Sequence, residues 1–67
     1  MMPKRYSSSE LIEMIQADGW VEVRIKGSHH HFHHPLKTGV VTIAHPQKIT
    51  KPGTANSILR QAGLKKD

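Results

Sequence analysis

Residues 21–34 read Val21-Glu22-Val23-Arg24-Ile25-Lys26-Gly27-Ser28-His29-His30-His31-Phe32-His33-His34, and this stretch decides the fold. Its first six residues alternate apolar with charged, the period-two pattern of a half-buried strand. Gly27-Ser28 then reads as a tight turn, since short hairpin loops favour glycine. His29 to His34 continue as a second strand, and Phe32 marks its buried side. The stretch holds five of the chain's 6 histidines. It is internal and interrupted by Phe32, unlike a purification tag.

On its N-terminal side, Ser7-Ser8-Ser9-Glu10 fits a capping box, in which the Ser7 hydroxyl and the Glu10 carboxylate each bind the other's backbone amide. Leu11, Ile12, Met14 and Ile15 follow at helical spacing. Asp18-Gly19-Trp20 reads as the stop: Gly19 takes the left-handed conformation and Trp20 folds back on the last turn. Residues 1 to 6 read as a basic tail. On the C-terminal side, Pro35 to Gly39 make a turn. Val40-Val41-Thr42-Ile43-Ala44 is a third strand, β-branched at four of five positions. His45-Pro46 ends it, because proline cannot continue a ladder. After a loop from Gln47 to Gly53, Thr54 is the predicted N-cap of a second helix. Ala55, Ile58, Leu59 and Ala62 share one face of it, and Gly63 with Leu64 closes it.

The order helix, three antiparallel strands, helix predicts an α+β fold: a three-stranded antiparallel sheet with both helices on one face. Val21, Val23, Ile25, Phe32, Val41 and Ile43 are expected to face the helices. The open face would then carry Glu22, Arg24, Lys26, His29, His31, His33 and Thr42. His30 and His34 fall on the Phe32 side and read as packing or edge residues. One domain spans residues 1–67, with an ordered core from about residue 7 to residue 64.

A chain of 67 residues buries a modest core and has no room for a deep cofactor cavity. An active site here is expected to be a shallow surface, and no cofactor or metal is expected. Lys and Arg total 10 against 5 Asp and Glu, a formal charge of +5, which favours a polyanionic partner, nucleic acid before membrane. The absence of cysteine excludes disulfides and thiolate metal sites. No apolar run approaches the roughly 18 residues of a membrane span, and the N-terminus does not resemble a signal peptide. Residence in the cytoplasm is the expectation.

Histidine can take and give a proton near neutral pH. RNA carries its own nucleophile, the 2′-hydroxyl. Cutting it needs a base near that oxygen, positive charge for the pentavalent transition state, and an acid at the leaving oxygen. A face with His29 and His31 beside Arg24 and Lys26 offers those groups in one patch. Two other classes compete. A non-catalytic RNA-binding module of the same fold would make the histidines incidental. A metal-binding protein would use histidines at i, i+2 and i+4 of a strand, joined by His45 or Glu22, but Arg24 and Lys26 repel a cation there.

Three stretches together resemble a known family. They are Ser8-Ser9-Glu10-Leu11-Ile12 with Asp18-Gly19-Trp20, then Lys26-Gly27-Ser28-His29-His30 with Phe32, and Val41-Thr42-Ile43-Ala44-His45-Pro46 running through Lys51-Pro52-Gly53-Thr54 to Ile58-Leu59-Arg60-Gln61-Ala62-Gly63-Leu64. In this order and spacing the chain resembles HicA, the small toxin of bacterial and archaeal HicA–HicB toxin–antitoxin modules. That resemblance implies a double-stranded-RNA-binding-domain-like fold and an mRNA interferase activity. It implies one essential histidine after the Gly-Ser turn, which maps to His29, with Gly27 and Ser28 shaping the turn. Arg24, Lys26, Lys37 and Lys48 are the predicted RNA contacts. His31 and His45 are auxiliary candidates for the complementary proton transfer. It also implies a HicB-type antitoxin that covers the active face and often represses the shared operon. The free toxin is expected to be a monomer and the complex a hetero-oligomer. Two departures stand out: Ala44 sits where proline is common, and the histidine run is longer than the usual pattern.

Overall fold

The computed structural model describes residues 5–65. Residues 1–4 of the expected basic tail, and residues 66–67 at the other end, lie outside the described residues. The elements run α1 (Ser8–Asp18), β1 (Val21–Lys26), β2 (His29–His33), β3 (Val41–Ala44) and α2 (Pro52–Gln61). The sheet is antiparallel with order β1-β2-β3, so the predicted α+β order and the open sheet are present.

Local chemistry sets the ends of α1. Ser7 Oγ accepts the Glu10 N–H at 3.1 Å and the Ser7 N–H donates to Glu10 Oε1 at 2.9 Å, the full capping box. At the other end Gly19 has φ +113°, a backbone conformation that a Cβ would strain. The Gly19 N–H donates to Gln16 O and the Trp20 N–H to Ile15 O, both at 3.0 Å, which returns Trp20 to the core as predicted. Its indole N–H donates to Ala62 O at 3.2 Å. Tyr6 does not belong to a tail. It packs against the core and forms a bridge with Thr50, whose N–H donates to Tyr6 O at 2.6 Å.

The second helix begins before the predicted cap. Lys51 is its N-cap, without a side-chain bond, and Pro52 is its first residue. Proline suits that position because its missing N–H has no partner in the first turn and its φ is already helical. Thr54 therefore lies inside the first turn.

The core comprises Leu11, Ile15, Trp20, Phe32, Val41, Ile43, Ala55, Ile58, Leu59 and Ala62. It matches the expectation for both helices, β2 and β3, and departs from it at β1. Val21, Val23 and Ile25 are 58%, 57% and 56% exposed, not turned into the core. Two causes act together. Both helices pack on β3 and on each other, so β1 is an edge strand reached by neither to any extent. The β1–β2 register also slips between Glu22 and Arg24, a bulge that spends one residue without a partner. The register pairs Val21 with His33, Glu22 with Phe32, Arg24 with His31, Ile25 with His30 and Lys26 with His29. Opposed residues share a face, so Glu22 and Ile25 lie on the helix side. Glu22 thus leaves the open face to which strict alternation assigns it, and Val21 takes a place there.

Candidate active site on the open sheet face

The hairpin turn positions the candidate catalytic residue. Gly27 has φ +59° and, among the described residues, none other than glycine has positive φ, which fits a two-residue turn with glycine first. Lys26 and His29 are the residue pair that the turn closes. On the other side of β2, His29 pairs with Ala44 and His31 with Thr42. The open face is therefore laid out in rows across the sheet: Lys26–His29–Ala44, then Arg24–His31–Thr42, then Val21–His33. His29 is exposed, between a cation and a methyl group too small to cover it. Among the described residues its ring has no hydrogen-bond partner. His31 Nδ1 lies 2.9 Å from Thr42 Oγ1, which orients that ring.

Along the second and third of these rows, beside the bulge, lies a depression of about 350 Å³ lined by Val23, Arg24, His31, His33 and Val40. Val23 and Val40 were not among the expected site residues. Nothing in the sequence marks the bulge, since Val23 is no glycine and the apolar–charged alternation runs through it unbroken.

His45 sits on the opposite side of the sheet. Its backbone N–H donates to Ser28 O at 2.8 Å, but its ring meets that of His30 edge-on, centroids 5.1 Å apart. Its Nδ1 lies 2.7 Å from Ser8 Oγ. Ser8, nearly fully buried, also accepts the Gln47 N–H at 2.8 Å. His30 in turn donates from Nδ1 to Glu22 Oε1 at 2.5 Å. His45, Ser8, His30 and Glu22 thus tie the start of α1 to the back of the hairpin. Of the two auxiliary candidates, His31 shares the open face with His29 and His45 does not.

The cations divide in the same way. Arg24 and Lys26 lie on the open face, and Lys48 is exposed in the loop before α2. Lys37 is committed elsewhere. Its Nζ donates to Asp18 Oδ2 at 2.6 Å and to Ala62 O at 2.9 Å, so one ammonium joins the C-terminal ends of α1 and α2, where helix dipoles favour positive charge. The hydrogen bond from Lys37 holds the Asp18 carboxyl below its ordinary value of 3.8, against an opposing push from desolvation. Lys37, expected among the RNA contacts, is thus engaged by Asp18 and Ala62 in this structure. His34 belongs to the same joint: its Nδ1 accepts the Leu36 and Lys37 N–H groups at 3.0 and 3.2 Å, leaving Nε2–H to donate to Asp18 O at 2.8 Å.

Among the described residues no group of three or more His, Asp or Glu side chains is arranged to hold a metal ion. Glu22 and His45, the two extra ligands a histidine-cluster site would draw on, lie across the sheet from His29, His31 and His33. Also among the described residues, no helix is long and apolar enough to cross a membrane.

Residues 8–64 match the family described as the HicA toxin of bacterial toxin–antitoxin systems, nearly the whole chain. The chain belongs to the HicA toxin family. No curated protein matches it. As a HicA toxin it has an antitoxin partner in the general sense that membership of a toxin–antitoxin family carries. The match begins at Ser8, where the hydroxyl meets His45, and takes in the Gly27-Ser28-His29 turn and the whole of α2.

Proposed function

We propose that this HicA chain is a metal-independent endoribonuclease that cuts mRNA with His29, and that a HicB-type antitoxin silences it by covering the same face. The observation that carries the reading is the row Lys26–His29–Ala44: an accessible imidazole with a cation on one side and only a methyl group on the other. In the reaction the 2′-oxygen of one nucleotide attacks its own 3′-phosphorus and the bond to the 5′-oxygen of the next nucleotide breaks. His29 takes the proton from the 2′-hydroxyl or delivers one to the leaving oxygen, the kind of step worth roughly 10²–10⁴-fold. Lys26 and Arg24 bear on the phosphate oxygens, whose charge grows in the transition state. His31, one residue pair along the strand at about 6.5–7 Å, is the nearer of the two auxiliary candidates for the complementary transfer.

The test is cleavage of a defined mRNA by purified protein, with and without a strong chelator, beside a His29→Ala control. Cleavage should survive the chelator, leave 2′,3′-cyclic phosphate ends, and vanish in a folded His29→Ala protein. That variant should melt within about 0.5 kcal/mol of the parent, as exposed sites do. Full activity in folded His29→Ala protein refutes the assignment. Loss on chelation with restoration by zinc would favour the metal alternative, and RNA binding without cleavage the non-catalytic module.

A further inference from the structure

The depression beside His31 is not needed for proton transfer at His29, and its lining has a chemistry of its own. Its walls are two valines, Val23 and Val40, two imidazoles, His31 and His33, and the guanidinium of Arg24. Its volume of about 350 Å³ lies at the small end of ligand sites, which run from roughly 300 to 1,000 Å³. It is there because the bulge in β1 puts both Val23 and Arg24 at its rim, where strict alternation would send one of two neighbours to the far face.

We infer that this depression seats one unpaired base of a single-stranded RNA, adjacent to the linkage cut at His29. The inference rests on the endoribonuclease reading and deepens it by naming how the substrate is held. A phosphate group would have no use for two valines. A heterocyclic base does: it is flat and apolar on its faces and polar along its edges. Imidazole and guanidinium planes offer stacking partners to its faces, and their ring and guanidinium N–H groups offer hydrogen bonds to its edges. The Thr42 hydroxyl, 2.9 Å from His31 Nδ1, fixes one such plane. The depression begins one residue pair from His29, about 6.5–7 Å along the strand, and on the β1 side Lys26 stands opposite His29 and Arg24 opposite His31, a row of cations along which a backbone would pass. The chain's formal charge of +5 suits a nucleic acid. A paired base cannot lay its face in a surface depression, because its faces are occupied by its neighbours in the stack. The open face therefore selects single-stranded segments, although the family resemblance implies a double-stranded-RNA-binding-domain-like fold.

The experiment uses the full chain and a six-nucleotide 2′-O-methyl RNA, which has no 2′-hydroxyl to react, with each position made abasic in turn. Fluorescence anisotropy reads the affinity. One abasic position should weaken binding about tenfold, within the five- to hundredfold range of single-base stacking, while the others change it less than twofold. His33→Ala, an exposed change that leaves the core untouched, should weaken the intact oligonucleotide and leave the one abasic at that position unaffected. Equal binding of all the abasic oligonucleotides would mean that RNA is held by its backbone alone, and would overturn the base seat while leaving the ribonuclease reading standing. A His33→Ala protein that weakens antitoxin binding and no oligonucleotide would hand the depression to the protein partner, again overturning the inference. No binding of any oligonucleotide, together with no cleavage of mRNA, would sink the ribonuclease reading and the base seat together.

Discussion

Two isoleucines occupy equivalent places in the sequence pattern and opposite places in the molecule, and replacing each with threonine separates the structure from the pattern. Ile25 is the last apolar residue of the alternating β1 stretch and is 56% exposed; Ile43, in β3, is 1% exposed. Threonine keeps the β-branch, so strand preference barely changes. At Ile43 the exchange removes a methyl from a packed core, about 0.5–1.5 kcal/mol by analogy with Ile→Val. It also buries a hydroxyl among Phe32, Val41 and the helices, about 1–3 kcal/mol by protein measurements. A loss of about 2–4 kcal/mol is expected, against a total stability of roughly 3–10 kcal/mol for a chain of this size. With about 4–8 °C per kcal/mol in domains this small, Ile43→Thr should lower the melting temperature by about 10–30 °C, or leave the protein unfolded at room temperature. Ile25→Thr should stay within about 0.5 kcal/mol, a few degrees at most. Thermal melts followed by circular dichroism read both. Comparable losses at the two positions would mean that β1 is packed under a helix after all. The bulge and the exposed valines of the open face would then be wrong as well.

Phe32→Ala should be more severe, about 3–5 kcal/mol for a buried aromatic, because Phe32 is fully enclosed on the central strand; a variant as heat-stable as the parent would show the phase of β2 to be inverted. Lys37→Met should leave mRNA cleavage unchanged, since Lys37 holds two helix ends and not the open face, and a drop in cleavage by folded protein would return it to the site. The same variant tests the Asp18 pair by pH. A carboxyl lowered in the folded state adds stability that is present above 3.8 and lost as pH falls through its folded value below that. The gap in melting temperature between parent and Lys37→Met should therefore narrow on acidification through that window, leaving the part due to the bond from Lys37 to Ala62 O; a gap that does not narrow would make the Asp18 pairing something other than electrostatic. Charge reversal at Arg24 and Lys26 should weaken both RNA cleavage and antitoxin binding, and antitoxin association should slow as salt rises, because exposed charges are screened over about 8 Å at physiological ionic strength. Amide exchange with the partner bound should protect residues 29–33; protection confined to the helices would rule out coverage of the His29 face.

Features set by neighbours in sequence could be read from sequence. The Ser7–Glu10 box, the Gly19 stop, the return of Trp20 and the Gly27-Ser28 turn each depend on a few consecutive residues, and each is in place. The start of α2 departs from the Thr54 cap for a local reason too: Thr54 and Pro52 are both good openings for a helix, and Pro52 prevails because it costs nothing at the first position. What could not be read was which strand the helices would leave uncovered. Val21, Val23 and Ile25 carry the same pattern whether they lie under a helix or at an edge. The choice is made by α1 and α2 settling over β3 and against each other, a matter of tertiary packing with no trace in the β1 residues themselves.

The candidate site divides along the same line. His29 and His31 fall on the open face with Lys26 and Arg24 because β2 runs without interruption from the turn to Phe32, and a period of two carries the phase of Phe32 back to His29 reliably. β1 has no such anchor. Its charged residues can be phased only from its own valines, and one unpaired residue between Glu22 and Arg24 is enough to send Glu22 to the helix side while leaving Arg24 and Lys26 where alternation puts them. The residues nearest the turn keep their phase since the hairpin fixes Lys26 opposite His29. Those beyond the bulge lose it. Lys37 and His45 show a different limit: each is polar and close to the hairpin turn in sequence order or by a backbone hydrogen bond, yet each is claimed by a buried or half-buried partner, Asp18 with Ala62 for one and Ser8 for the other. A polar side chain serves the solvent face only when no interior group needs it more, and that demand comes from helix ends far away in the chain.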